Sequence, residues 1–150
     1  MLKKFAVRNY KNFKDEISID FSNTAGYQFS TDCICEGIIS KMLIYGRNAT
    51  GKTNFGKALM DISTKILGSG WAVERGIFLN ADSQEDAAVF FYEFIFGGQT
   101  LIYQYAKTSE TELKWEKLTI DGRSIFHCDF VLKHYDFENL KYINAETANI

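Results

Sequence analysis

The sequence predicts an α/β fold in which one strand–loop–helix unit is joined to an antiparallel sheet. An apolar run at residues 41–45 leads directly into the glycine-containing stretch GRNATGKT at residues 46–53, after which apolar residues recur at helical spacing. Later segments alternate between apolar and polar residues and are separated by glycine turns, as in β-hairpins. No linker rich in Pro, Gly or Ser divides the chain, so we expect residues 1–150 to form one domain.

The N-terminal segment is predicted to form two antiparallel strands. Residues 2–9 alternate loosely, residues 9–12 are turn-like, and residues 16–21 alternate cleanly between apolar and polar side chains. Residues 22–36 are polar and contain glycine, so we expect a loop there before the strand–loop–helix unit at about residues 38–68.

That unit is predicted to contain a buried strand at residues 41–45 and a helix after residue 51. One face of the helix is apolar, and Gly68-Ser69-Gly70 is a natural helix stop. The apolar face consists of Phe55, Ala58, Leu59, Ile62 and Ile66.

The second half of the chain is predicted to be an antiparallel meander. Residues 69–86 are irregular, and residues 87–96 and 100–106 then flank the break at Gly97-Gly98. Residues 113–120 alternate, Asp121-Gly122 is a strong hairpin turn, and residues 124–131 continue as a strand.

The stretch GRNATGKT fits the phosphate-binding pattern G-x-x-x-x-G-K-[ST] at every fixed position. Gly46 and Gly51 let the backbone wrap close to a polyphosphate, where a Cβ would intrude. Lys52 brings a positive charge to the β- and γ-phosphates, and the Thr53 hydroxyl is suited to Mg²⁺. A plain glycine turn between strand and helix is the alternative, and the strand–loop–helix context favours the phosphate-binding P-loop.

Composition limits the class of protein. Hydrophobic residues make up 46% of the chain and charged residues 24%, which is typical of globular proteins. The formal net charge of -2 provides no basic field, so tight DNA binding by this segment alone is not supported. No apolar stretch reaches membrane-spanning length and the N-terminus is too polar for a signal peptide, so we expect a cytoplasmic protein without a membrane partner.

The three cysteines, Cys33, Cys35 and Cys128, are predicted to be reduced thiols, because the count is odd and no secretion signal is present. Together with His127 they could be imagined as a zinc site, but their spacing matches no common zinc pattern. We expect His127 and His134 to be ordinary strand or loop residues.

These motifs together resemble the N-terminal half of an ABC-type ATPase of the SMC/RecF kind. The first strand ends in NYKNF at residues 9–13, similar to the family's N-F-[RK]-x-[FH] opening, and Asn48 stands at the asparagine of the family's G-x-N-x-x-G-K-T loop. Residues 45–59, YGRNATGKTNFGKAL, look most like the AAA-family ATPases of bacterial abortive infection and anti-phage defence, which are relatives of the overcoming-lysogenization-defect nucleases.

The resemblance implies ATP and Mg²⁺ as cofactors. It implies that Lys52 holds the β- and γ-phosphates and that Thr53 binds the metal. It also implies that Asn48 lies near the γ-phosphate and that Lys11 reaches the phosphates from the N-terminal turn. A solvated turn lysine is the alternative for Lys11, and Arg47 and Thr50 are expected to act only as backbone donors. The full set of expected cofactor-binding residues is Gly46, Arg47, Asn48, Ala49, Thr50, Gly51, Lys52, Thr53, Asn54 and Lys11.

Two family motifs are not found in the sequence. A Walker B strand ends in Asp-Glu, and neither residues 89–93 nor residues 125–129 carry that pair after their apolar run. No serine-glycine signature motif is present, and Gln99 follows two glycines, which favours a hairpin residue over the family's Q-loop glutamine. We therefore expect no catalytic residue in this segment, and expect it to be the first half, or the ordered part, of a longer ATPase.

The function implied by the resemblance is an ATPase whose nucleotide-dependent homodimer or larger homo-oligomer controls an effector nuclease or toxin. A DNA-repair ATPase of the RecF type is one alternative. A P-loop scaffold that holds ATP structurally, without hydrolysis, is another. Adenine is expected as the base, since the chain has no guanine-reading [NT]-K-x-D segment.

Overall fold

A computed structural model describes residues 1–29, 31–67, 76–137 and 139–143 of the chain. Its main feature is a seven-stranded sheet covered by one helix, with the strand order β2-β1-β5-β6-β7-β8-β9 and antiparallel pairing throughout. A separate two-stranded hairpin is formed by β3 and β4. The elements are β1 (Leu2–Arg8), β2 (Ile17–Asp20), β3 (Ile34–Cys35), β4 (Ile38–Ile39), α1 (Lys52–Leu67), β5 (Ala88–Phe96), β6 (Gln99–Lys107), β7 (Leu113–Ile120), β8 (Arg123–Asp129), β9 (His134–Asp136), and short 3-10 helices at Thr31–Cys33 and Leu140–Ile143.

Both predicted glycine hairpins are present in the sheet. Gly97 and Gly98 connect β5 to β6 with φ angles of +57° and +83°, and Asp121 and Gly122 connect β7 to β8 with φ angles of +46° and +77°. Two successive residues with positive φ give the turn a twist that matches the twist of the flanking strands. The predicted meander is therefore confirmed.

The N-terminal strand lies inside the sheet, and this joins the two halves of the chain. One edge of β1 pairs with β2, as predicted, and its other edge pairs with β5. Phe5 lies opposite Tyr92, and Val7 lies opposite Phe90. All four side chains are almost completely buried and form the centre of the core.

The predicted helix is confirmed as α1, and it covers the core face of the sheet. Phe55 and Ala58 are buried against the strands, with the Phe55 ring centroid 5.5 Å from that of Phe5. The Tyr92 hydroxyl donates a hydrogen bond of 2.8 Å to the Ala58 carbonyl oxygen. The predicted helix stop at residues 68–70 lies outside the described residues.

The predicted buried strand at residues 41–45 is wrong. These residues belong to no strand, and Leu43 and Tyr45 are 85% and 89% exposed. A strand requires a neighbour that completes its ladder of hydrogen bonds. Within the described parts of the chain, residues 41–45 form no such ladder with a neighbouring strand.

Two smaller predictions also need correction. Residues 22–36 are not only loop, because they contain a 3-10 turn at Thr31–Cys33 and the strand β3. The strand predicted to run to residue 131 ends at Asp129, whose carboxylate accepts the backbone N–H groups of Val131 and Leu132 at 3.0 and 2.7 Å and turns the chain. The chain then returns as β9, which was not predicted.

The fold is therefore α/β, with a mostly antiparallel seven-stranded sheet and few helices. In the described ranges, no helix combines the length and the apolar character needed to cross a membrane.

Candidate phosphate-binding site

The stretch at residues 46–51 forms an exposed loop that ends at the start of α1. Ala49 and Gly51 have φ angles of +63° and +97°, so the backbone turns sharply just before the helix. The first helical hydrogen bond runs from the Phe55 N–H to the Gly51 carbonyl oxygen at 2.8 Å. The N–H groups of the first helical turn lack intrahelical acceptors, and the helix dipole adds a partial positive charge there. This end of the helix therefore favours an anion.

The side chain of Lys52 folds back over this loop. Its ammonium donates hydrogen bonds to the carbonyl oxygens of Gly46 at 2.8 Å and Arg47 at 2.6 Å. The Thr50 hydroxyl donates to the same Arg47 oxygen at 2.9 Å. Lys52 thus bridges the start and the end of the loop through two carbonyl oxygens.

The predicted loop residues lie together, and most of them are open to solvent. Residues 46–50 and Thr53 are exposed, while Gly51, Lys52 and Asn54 are half-buried. In the part of the chain that the structure describes, no group of three or more His, Cys, Asp or Glu side chains could hold a metal ion.

Lys11 lies in the N-terminal turn, and its ammonium lies beside a carboxylate. The ammonium is 3.7 Å from a carboxylate oxygen of Glu110, and the side chain is only 11% exposed. It also lies 5.6 Å from the centroid of the Tyr10 ring. Lys11 is therefore not a solvated turn lysine, and its contact with phosphates stays a prediction.

Asn12, the next residue, reaches the loop, and the sequence analysis missed it. Its side-chain oxygen accepts a hydrogen bond of 2.7 Å from the amide of Asn54. A Cβ placed on Gly51 would lie 2.3 Å from the Asn12 amide nitrogen, so the side chain covers this glycine directly. Asn12 and Asn54 are 42 residues apart in sequence, and no sequence-spacing rule connects them.

A cleft of about 200 Å³ opens beside the loop. The apolar wall is provided by β2, the segment at residues 41–45 and the first turn of α1, and the loop residues form one end. This combination suits a ligand with an apolar ring attached to a charged group. The lining residues are Phe13, Ile17, Ile19, Ile44, Tyr45, Thr50, Gly51, Lys52 and Phe55.

A buried polar network joins the middle of α1 to the sheet. Asp61 accepts hydrogen bonds from the Lys107 ammonium at 2.9 Å and from the Tyr105 hydroxyl at 2.7 Å. The Tyr105 and Tyr92 hydroxyl oxygens are 3.4 Å apart. Burial raises the pKa of both tyrosines far above the ordinary value of 10.0, so both hydroxyls stay neutral donors. The network thus fixes the helix on the sheet through polar contacts as well as apolar ones.

Other residues that were considered as functional have structural roles in the sheet. Glu93 forms an ion pair of 2.8 Å with Lys3, and Asp129 caps the turn after β8. Gln99 is the first residue of β6, and its amide lies 3.2 Å from a carboxylate oxygen of Asp121, as expected for a hairpin residue.

The three cysteines are free thiols. Cys35 lies in β3 of the small hairpin and Cys33 in the 3-10 turn before it, whereas Cys128 is buried in β8. Burial raises the pKa of the Cys128 thiol above its ordinary value, which keeps it protonated and unreactive.

Two comparisons with known proteins found no match. The chain matches no protein-family model, and it has no match among curated proteins.

Proposed function

We propose that the chain binds ATP with Mg²⁺ through residues 46–53. The observation that carries the proposal is the position of Lys52, whose ammonium bridges the two ends of a loop that precedes a helix N-terminus. Such a loop offers an anion several backbone donors and a full positive charge within one small volume. A polyphosphate is the ligand that uses all of these features together.

The residues present fit the cofactor. The Lys52 ammonium and the loop N–H groups would hold the phosphates, and the exposed Thr53 hydroxyl would serve as a metal ligand. When bound, Mg²⁺ neutralises phosphate charge. The apolar cleft beside the loop would take the base, for which we expect adenine.

We further propose that the chain is the N-terminal lobe of an ABC-type ATPase of cytoplasmic anti-phage defence. Its nucleotide-dependent homodimer or larger homo-oligomer would control an effector nuclease or toxin. The support is the resemblance of residues 9–13 and 45–59 to that family, together with the antiparallel sheet that follows the helix. Neither of the two acids that follow an apolar run is available as the catalytic base, because Glu93 pairs with Lys3 and the Asp129 carboxylate accepts backbone N–H groups.

The engagement of both acids also favours a second candidate, a scaffold that holds ATP without hydrolysing it. Turnover separates the two candidates. We expect the 150-residue chain alone to hydrolyse ATP far more slowly than the full-length protein, because phosphoryl transfer needs a base and charge stabilisation that one P-loop does not supply. Equal rates per P-loop would mean that the catalytic acid is already in this chain. A lack of turnover in the full-length protein would favour the scaffold.

Calorimetry on the full-length protein tests the binding site. We expect Lys52→Ala to abolish ATP binding, because it removes the only positive charge that bridges the loop in the described structure. Lys57→Ala, on the same helix five residues further on, is the matched control and should bind like wild type. Equal ATP affinity for Lys52→Ala and wild type would show that the site is misassigned. Displacement of labelled ATP by an equal concentration of GTP would contradict the preference for adenine.

A further inference from the structure

We propose that Asn12 positions the polyphosphate by donating a hydrogen bond from its side-chain amide at the mouth of the loop. The inference rests on the proposed function and adds a ligand contact that lies outside residues 46–53. It follows from the position of Asn12 over Gly51 and beside Asn54.

The turn that carries Asn12 is held firmly in place. Asn9 is fully buried, and its amide nitrogen donates to the carbonyl oxygens of Glu85 and Ala87, each at 2.9 Å. Its side-chain oxygen accepts the Asn80 N–H at 3.2 Å, and the Asn80 amide donates to the Lys11 carbonyl oxygen at 2.7 Å. The backbone immediately before Asn12 is thus fixed to the 80–87 segment, which sets where the Asn12 side chain projects.

The amide of Asn12 is oriented with its donors toward the loop. The oxygen is occupied by the hydrogen bond from Asn54, so the nitrogen faces the other way. That nitrogen covers the side of Gly51 from which a side chain would project. Asn12 is itself exposed, so an anion in the loop has access to its N–H groups. The contact also gives a reason for glycine at position 51 beyond its positive φ angle.

The neighbouring cation is less well placed for this task. The Lys11 ammonium lies beside Glu110, and the lysine side chain is mostly buried. Asn12 contacts the loop and the start of the helix with a neutral side chain. Substitutions that change the charge at position 12 should therefore have large effects on anion binding.

Asn12→Asp separates a ligand contact from a structural role. The aspartate keeps an acceptor for the Asn54 amide, so a purely structural Asn12 would tolerate the change. A ligand contact would not, because the donor becomes an anion facing the phosphates. We expect Asn12→Asp to weaken ATP–Mg²⁺ binding on the order of a hundredfold, and Asn12→Ala about tenfold.

Isothermal titration on the full-length protein measures these affinities, with ATP–Mg²⁺ and inorganic tripolyphosphate as the probes. Asn23→Asp is the matched control, because the exposed Asn23 also uses its side-chain oxygen as an acceptor, from the Ala25 N–H at 3.2 Å. Melting temperatures without nucleotide should be similar for all variants. A similar loss for both probes, with Asn23→Asp unchanged, supports the assignment.

Three outcomes would overturn the proposal. Wild-type affinity in Asn12→Asp would show that Asn12 is structural, while leaving the P-loop assignment intact. A loss of affinity for ATP without a loss of affinity for tripolyphosphate would place the Asn12 contact on the nucleoside. If wild type binds neither probe, the proposed function itself is wrong, and the role of Asn12 is wrong with it.

Discussion

The middle and the N-terminus of the same helix are held in different ways. In the middle of α1, Asp61 and its partners lie between helix and sheet, and they come from positions 44 and 46 residues away. At the N-terminus, the loop is held by hydrogen bonds from Lys52 to Gly46 and Arg47, which are only six and five residues away. The difference teaches that the loop takes its shape from local contacts, whereas the position of the helix depends on the whole sheet.

The two regions also differ in how fully they are covered. Asp61 and Lys107 are less than 10% exposed, and aromatic rings of the core surround them. The segment before the loop, residues 41–45, is exposed throughout although it is mainly apolar. Removing the partner of a buried charge lowers the free energy of unfolding strongly, whereas replacing an exposed apolar side chain changes it little. Substitutions should therefore have very different effects in the two regions.

The largest effect is expected for Lys107→Ala. The substitution leaves the Asp61 carboxylate buried without its cation, so unfolding free energy should fall by about 3–5 kcal/mol. The double substitution Asp61→Leu with Lys107→Met should be much less harmful, because it removes both charges and keeps apolar volume. Urea denaturation followed by circular dichroism measures both.

Lys114→Ala is the matched control for this prediction. Lys114 pairs with Asp86 at 2.7 Å, but the Asp86 side chain is 76% exposed, so water replaces the lost partner. Similar destabilisation by Lys107→Ala and Lys114→Ala would show that burial of the ion pair does not hold the helix on the sheet.

Much of the fold was predictable because its signals are local. The hairpin turns at residues 97–98 and 121–122, the alternation of the strands and the period of α1 each lie within a few residues. The loop at residues 46–53 was predictable for the same reason, since glycine and lysine at fixed spacing specify a backbone conformation. The hairpins, the helix and a sharp loop before the helix are present in the structure, the strand predicted at residues 41–45 is not, and phosphate binding by the loop stays a prediction.

The remaining features depend on contacts that are distant in sequence. An apolar run such as residues 41–45 predicts a strand, but only a neighbouring strand makes it one. The Asp61–Lys107 pair and the Asn12–Asn54 contact join residues 46 and 42 positions apart. The sequence has a lysine and an asparagine side by side in the N-terminal turn, and only the packing shows that the asparagine contacts Gly51 and Asn54.

Smaller changes in stability are expected for two glycine substitutions, one in the loop and one in the helix. The two changes should have opposite signs. Gly51→Ala should lower stability by about 1–2 kcal/mol, because its φ angle is +97° and the added Cβ would contact Asn12. Gly56→Ala should raise stability by about 0.5–1 kcal/mol, because alanine favours a helix and nothing lies within 4 Å of the added Cβ. Thermal unfolding without nucleotide measures both. Equal changes of the same sign would mean that the loop conformation is not fixed by its glycine.

The smallest effect is expected for Leu43→Ser in the exposed segment. The side chain is 85% exposed, so unfolding free energy should change by no more than about 0.5 kcal/mol. Ile38→Ser is the matched control five residues earlier, where the side chain is 5% exposed in β4 and the loss should be about 2–4 kcal/mol.

Urea titrations of both variants against wild type decide the comparison. A large loss for Leu43→Ser would mean that residues 41–45 are packed in solution as the buried strand that their sequence predicts. The loop would then have a fixed support on both sides, and the contrast between the middle and the N-terminus of α1 would disappear. A negligible loss means that the helix and its own hydrogen bonds are sufficient to hold the loop in shape.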